Sequence, residues 1–409
     1  MRNCQRRCVF EGGIRQVNAL KLSRFLRRSF NKKGLPVHFT FFVTAKCNSV
    51  CKTCFYWDNL NQSTNELTLE EIEKLVRTLG PLVWLAYTGG EPFLRKELPE
   101  ISRVFYQHTQ PAALSINTNG IRTEEIVRTA EKILAYMPKT FLAILVSIDG
   151  LGEVHDEIRG VPGNFKKAIE TFRSLQKIRE RSNHMGVGIS TTFNQMNQDH
   201  VFEMTEFVVG QLKPDNWDIS FIRGTPMNPA IGAADIEKFK RIKKIAESAF
   251  LNKSLKYYDR LPLSRFLRAK ERVVQQQLFR TLETGQYQRP CFAGALSAIL
   301  TEEGNVYPCE ILDARIGNIR EVDYDFSALW NSPKAEEIRR RISENRCFCT
   351  HECNISVNTL FNIRAYPAIL KEMTTSNIEV NLEREEGGGL SKITTAPTSV
   401  SLAEQTTRR

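Results

Sequence analysis

Three cysteines, Cys47, Cys51 and Cys54, stand in a C-x3-C-x2-C run inside AKCNSVCKTCFYW. Three thiolates on one tight loop can ligate three irons of a cubane [4Fe-4S] cluster and leave the fourth iron open to an external ligand. A structural zinc site instead closes its coordination with a fourth Cys or His nearby, and the following FYWDNLNQ offers neither. The bland alternative is three buried thiols that happen to be so spaced. Far downstream, Cys291 is followed by twelve residues, Gly304, four residues and Cys309, and RCFCTHECN then brings Cys347, Cys349 and Cys353. GNVYPCE reads as a hairpin turn leading back to a ligand, with Gly304 there for its backbone. Zinc held by Cys347, Cys349, His351 and Cys353 is the alternative use of that segment. Cys4 and Cys8 form a pair to which no role is assigned.

The elements that must position these groups alternate along the chain. Short β-rich runs fall at 37–44, 83–87, 113–117, 141–148, 187–193 and 217–222, with apolar-periodic helical segments between them. One helix, LTLEEIEKLVRTL, opens on Thr68 with Glu71 three residues on, a capping box. Six such units predict an α/β fold, a (β/α)6 partial TIM barrel whose reactive groups sit at the C-terminal ends of the strands. The three-cysteine loop directly follows the first strand.

A basic amphipathic arm is expected at 1–34, the barrel at 35–225 and a helical connector at 226–290. A smaller cysteine-rich α+β module follows at 291–363, and a segment at 364–409 ends in a polar, disordered tail.

More polar groups gather at strand ends. TGGEPFLR puts Gly89, Gly90, Glu91 and Pro92 after the second strand, where glycines let backbone approach a ligand and a carboxylate or exposed carbonyls can receive an ammonium group. SINTNG and VSIDG close the third and fourth strands with side chains suited to hydroxyls, although each is also an ordinary turn sequence. HDEIRG offers Arg159, which can pair with a ligand carboxylate or with a neighbouring acid at the surface. Thr191 and Thr192, ending the fifth strand, are weaker candidates of the same kind.

Charge narrows the partners. The formal net charge is +11, but ten Lys or Arg against the single acid Glu11 lie between residues 1 and 34, and the rest is nearly neutral. Nucleic acid is therefore not the expected partner of the body. In LKLSRFLRRSFNKK, Leu22, Phe25, Leu26 and Phe30 share one helical face ringed by Lys21, Arg24, Arg27, Arg28 and Lys32. Such a helix can lie on an anionic membrane surface or pack its apolar face on the barrel. The start lacks an apolar run and FLAILVSI is too short to span a bilayer. A cytoplasmic protein, peripheral to a membrane at most, with thiols rather than disulfides, is the expectation.

These motifs together resemble the radical S-adenosylmethionine (radical SAM) enzymes, whose signature is this cysteine spacing after the first strand of a partial barrel. The resemblance covers roughly Val37 to Ile363. It implies that Cys47, Cys51 and Cys54 hold a [4Fe-4S] cluster whose fourth iron chelates S-adenosylmethionine, and that reductive cleavage yields a 5'-deoxyadenosyl radical that takes hydrogen from a substrate. It implies further that Gly89, Gly90, Glu91 and Pro92 bind the methionine amino group, Arg159 the methionine carboxylate, and Ser147 and Asp149 the ribose, with Asn117 near the reacting centre.

The family commonly has an aromatic residue before its third cysteine. Here that residue is Thr53, so Phe55 and Tyr56 are expected to pack on adenine instead. The second cysteine group resembles the SPASM and twitch auxiliary modules. A single further [4Fe-4S] cluster is expected on Cys291, Cys309 and Cys353, with Cys349 preferred to Cys347.

The implied partners are a small-molecule or peptide substrate and a low-potential donor such as flavodoxin or ferredoxin. The implied reaction is oxidation of an alcohol or a peptide side chain, with peptide maturation by thioether or carbon-carbon crosslinks as the alternative. From another class, a non-catalytic iron-sulfur electron carrier or a zinc-binding protein stands against it, and the GGEP turn discriminates them.

Overall fold

The computed structural model describes residues 28, 30–62, 65–251, 264–374, 378–384 and 390–397. Cys4, Cys8 and most of the basic arm lie outside them. Six parallel strands follow in chain order: β1 (His38–Thr44), β2 (Trp84–Gly89), β3 (Ala113–Thr118), β4 (Phe141–Ser147), β5 (Met185–Phe193) and β6 (Asn216–Phe221). Each pairs with the next, as the alternating pattern requires when every connection is a helical crossover.

One side chain in two faces the helices. Phe39, Phe41, Leu85, Tyr87, Leu114, Ile116, Ile144, Val146, Val187, Ile189, Trp217 and Ile219 are buried there against Ile72, Leu75, Phe105, Ile133 and Phe172. The alternate residues turn to the concave side. On β2, β3 and β6 these are only partly buried, so the inner face of the half barrel is open and polar.

β1 differs: all seven residues are buried, and a seventh strand covers its other edge. β7 (Ser297–Leu300) runs parallel to β1 with Phe39 opposite Ala298, and β8 (Asn305–Tyr307) and β9 (Gly317–Asn318) extend the sheet antiparallel. The cysteine-rich module is therefore part of the barrel sheet, whose order is β6-β5-β4-β3-β2-β1-β7-β8-β9. β10 (Ile378–Arg384) and β11 (Leu390–Pro397) pair as an antiparallel hairpin. This part of the tail, expected to be disordered, is strand.

The helices fall where periodicity puts them, at Leu69–Leu79, Leu98–Thr109, Thr123–Tyr136, Asn164–Glu180, Ile236–Leu251 and Ser264–Thr284. The capping box is formed, with Glu71 N–H donating to Thr68 Oγ1 and Thr68 N–H to Glu71 Oε2. Glu71 also receives Arg320 at 2.7 and 3.0 Å and the Tyr324 hydroxyl at 2.7 Å, tying this helix to the downstream module.

Hydrogen bonds from Arg320 lead the causes that hold the Glu71 carboxyl down at about 2. A depressed carboxylate contributes stability that is complete above its unfolded value near 4.5 and drains as pH falls toward 2. Urea unfolding is expected to show Glu71→Gln less stable at pH 7 by roughly 1–2 kcal/mol, after discounting for solvent screening of a group near the surface. The gap should narrow in acid; a gap independent of pH would refute this linkage.

Arg28 donates to the backbone carbonyls of Lys33, Leu35 and Ala295. Lys32 donates to the Phe361 carbonyl and lies 5.0 Å from the centre of the Phe292 ring. These two arm cations are engaged with the protein itself, while Phe30 is exposed. No helix among the described residues is long and apolar enough to cross a membrane.

Candidate active site

The cysteine loop leaves β1 at its C-terminal end and is anchored first by Glu66, which accepts from Thr44 Oγ1 at 2.6 Å and from Ala45 N at 3.2 Å. Arg95 in turn donates to Glu66 at 3.0 Å. Asn61, at φ 57°, clamps Cys47 from both sides: Cys47 N donates to its Oδ1 at 2.9 Å and its Nδ2 donates to the Cys47 carbonyl at 3.0 Å.

The rest of the loop lies on the C-terminal end of a short helix, Glu153–Arg159, within the HDEIRG segment. Val50 N donates to the Arg159 carbonyl and Lys52 N to that of Ile158. Gly160, at φ 66°, ends that helix, and a Cβ there would lie 2.5 Å from the Val50 carbonyl oxygen. Neither Glu66 nor Asn61 was marked by the motif reading; the only trace of Asn61 in sequence is that asparagine tolerates the left-handed region.

The GGEP turn braces the same loop from below. Gly90 N donates to the Thr44 carbonyl and Glu91 N to that of Lys46, each at 2.8 Å. A Cβ on Gly89 would meet the Thr44 oxygen at 2.3 Å, and one on Gly90 the Lys46 oxygen at 2.1 Å. The close approach these glycines permit is to the cysteine loop, where a ligand had been expected. Glu91 is likewise committed: its buried carboxylate accepts from Thr118 Oγ1 (2.8 Å), Asn119 N (2.7 Å) and Phe93 N (3.2 Å). Burial raises its carboxyl against the pull of those donors. Glu91 is thus a bracket joining β2 to β3, and an ammonium group at this turn would meet backbone carbonyls.

Asp149 and Arg159 come together as an ion pair of 3.2 Å between Nη1 and Oδ2. The pair is buried, contrary to the surface pairing considered for Arg159. Asp149 also accepts from Thr192 N at 2.7 Å and donates its own N–H to His155 Nδ1 at 3.0 Å. Burial alone would lower Arg159, but the groups around it, with Asp149 the paired anion, outweigh it and hold the guanidinium charged. Arg159 Nε and Asp149 Oδ2 are buried with no hydrogen-bond partner.

Ser147 is half-buried and Asn117 exposed, both on the inner face. Thr192 is half-buried there as well, whereas Thr191 faces the helices and is held by the Ile148 carbonyl and Trp217 Nε1.

The expected adenine platform has other partners. Tyr56 donates to both oxygens of Glu302, at 3.0 and 2.8 Å, and packs on Phe42. Phe55 lies under the Arg223 guanidinium, 5.7 Å from the ring centre. Arg223 reaches Glu310 at 3.3 Å, so one side chain links the first cysteine loop to the residue after Cys309.

The second group is only partly as expected. Cys347 lies beside Cys291, and their coupling raises Cys291 and lowers Cys347. Burial raises Cys349 and Cys309, both of which also lie near Cys291. Cys353 is instead set among Glu310, Arg223, Asp218 and Glu352, and burial pushes its thiol up. Cys347, placed behind Cys349 as a ligand from its spacing, thus lies beside Cys291.

His351 is not a free zinc ligand, because Nδ1 accepts from Asn354 Nδ2 at 3.0 Å and Nε2 faces Glu310 at 3.2 Å. Among the described residues no three His, Cys, Asp or Glu side chains are drawn into a ready metal cage.

A cluster nevertheless suits the first loop. Burial pushes the Cys47 thiol up to about 12 and that of Cys54 to about 11, so these are neutral thiols that metal binding would deprotonate. The buried Arg159 Nε beside them, without a hydrogen-bond partner, calls for a further polar group.

A parallel half barrel with thiols on the loop after its first strand, braced by a glycine turn and a buried arginine, has the form of an iron-sulfur enzyme. Residues 41–208 match the model of the Radical SAM superfamily, and residues 291–354 that of the iron-sulfur cluster-binding (SPASM) domain. The chain belongs to the radical SAM superfamily and carries a SPASM domain, and its cofactors are a [4Fe-4S] cluster, S-adenosylmethionine and auxiliary iron-sulfur.

It is 30% identical over 199 residues to Fe-coproporphyrin III synthase of Methanosarcina barkeri, a match covering 46% of each chain; it spans about half of that relative. It is 24% identical to the sporulation killing factor maturation protein SkfB of Bacillus subtilis, over 79% of this chain and 71% of that one. The fold is shared with SuiB of Streptococcus suis bound to S-adenosylmethionine, at a TM-score of 0.52 and 15% identity, over 75% of this chain and 68% of that one.

Proposed function

We propose that this protein is a peptide-modifying radical SAM enzyme that oxidises or crosslinks a side chain held on the inner face of its half barrel. The observation that carries this reading is the convergence on one loop of Cys47, Cys51 and Cys54 with the GGEP turn and the buried Arg159. When bound, the cluster and S-adenosylmethionine supply a hydrogen-abstracting 5'-deoxyadenosyl radical.

The chain's own contribution is position. Cys47, Cys51 and Cys54 hold iron; the carbonyls of Gly89 and Gly90, with Pro92 terminating the turn, receive the methionine ammonium. Arg159, kept charged and oriented by Asp149, meets the methionine carboxylate. Ser147 offers its hydroxyl to the ribose, and Asn117 stands near the reacting centre. Cys291, Cys309, Cys347, Cys349 and Cys353 supply the auxiliary ligands. Flavodoxin or ferredoxin is the electron donor, and the basic arm remains a candidate membrane contact.

Relatives such as SkfB, named for maturation of a peptide, support a peptide substrate. Relatives named as heme synthases support a tetrapyrrole as the second reading. The test is anaerobic reconstitution followed by strong reduction with S-adenosylmethionine. 5'-Deoxyadenosine should form in the parent protein and not when Cys47, Cys51 and Cys54 are replaced by alanine. A loaded protein that forms none refutes the enzyme reading.

A further inference from the structure

The inner faces of β1 to β6 carry two titratable side chains, His38 and Asp218. His38 is buried on Trp84, ring centres 4.5 Å apart, and burial lowers it to about 4, so it is neutral. Asp218 is therefore the one acid that these strands present on their inner faces.

Its position is specific. Ser147 is opposite Ser190, and Ser190 opposite Asp218, in one row across β4, β5 and β6. The row runs from the side proposed to hold ribose toward the second cysteine group. Asp218 is only partly buried, between Trp217 and Ile219, which face the helices.

The neighbouring cations are already used. Lys243 donates to Glu352 at 3.1 Å and to the Ile219 carbonyl at 3.0 Å, while Arg223 is paired with Glu310. Among the described residues none hydrogen-bonds the Asp218 carboxylate. Burial raises its carboxyl in spite of Lys243 and Arg223. An anion held in this way gains from any donor that enters the barrel.

We infer that Asp218 is a specificity residue that receives a cationic nitrogen, ammonium or guanidinium, of the substrate. The inference rests on the reading of the chain as an enzyme with a peptide substrate. It also bears on the two readings above, since a tetrapyrrole would bring carboxylates toward Asp218, where a basic side chain would bring a cation.

The experiment uses fluorescence anisotropy of two labelled hexapeptides, Gly-Ser-Gly-Lys-Gly-Ser and its counterpart with Glu for Lys, on the cluster-loaded protein with S-adenosylmethionine. The lysine peptide should bind roughly tenfold more tightly or better. Asp218→Asn should bring the ratio near one, and Asp218→Glu should retain it. A wild-type protein without preference, or a preference unchanged in Asp218→Asn, overturns the assignment. Thermal melting checks that each variant is folded. The readout is binding, so absence of 5'-deoxyadenosine would count against the enzyme reading and leave this ratio measurable.

Discussion

Gly90→Ala is expected to abolish function while leaving a folded protein. The added methyl group would sit 2.1 Å from the Lys46 carbonyl oxygen and 2.6 Å from its carbonyl carbon. Both are backbone atoms of the cysteine loop, so no side-chain rotation relieves the clash; the loop itself must move, by roughly 1 Å, to reach ordinary contact. A displacement of that size costs on the order of 100-fold in a positioned reaction. Bound iron should fall, and 5'-deoxyadenosine formation should fall about 100-fold or more. Gly232→Ala, where a Cβ meets nothing within 4 Å, serves as the control. Iron content and cleavage rate equal to the parent in Gly90→Ala would refute this account of the turn.

Asp149→Ala is expected to cost roughly 3–5 kcal/mol, the range for removing one partner of a buried ion pair. Arg159 would remain buried with its charge uncompensated in the metal-free protein, and Thr192 N would lose its acceptor. The diagnostic is the double variant Asp149→Ala with Arg159→Leu, which removes the stranded charge and should recover part of the loss. Affinity for S-adenosylmethionine should drop in both variants, because Arg159 is misdirected in one and absent in the other. Equilibrium unfolding checks the first claim and calorimetry the second. An Asp149→Ala protein within about 1 kcal/mol of the parent would show that the pair is not structural.

Much of this was legible in the sequence because it is local. The six barrel strands and the capped helix at Leu69 depend on side-chain alternation and on Thr68–Glu71 chemistry within a few residues. The cysteine spacing needs only a loop. What escaped depends on partners distant in the chain. β7 is four residues long and owes its place to β1, some 260 residues earlier. Glu91 looked like a ligand group because nothing nearby in sequence shows that Thr118 and Asn119 use both of its oxygens. Tyr56 was similarly taken from adenine by Glu302. The preference for Cys349 over Cys347 followed from spacing, whereas the place of Cys347 beside Cys291 depends on the helices Pro333–Glu344 and Glu352–Leu360 that flank its segment.

The ladder between β1 and β7 has a consequence for traffic. Two iron-binding portions sharing a continuous run of backbone hydrogen bonds cannot swing apart to admit a bulky guest. The strands that end this sheet are then β6 and β9, and Asp218 lies on the first of them.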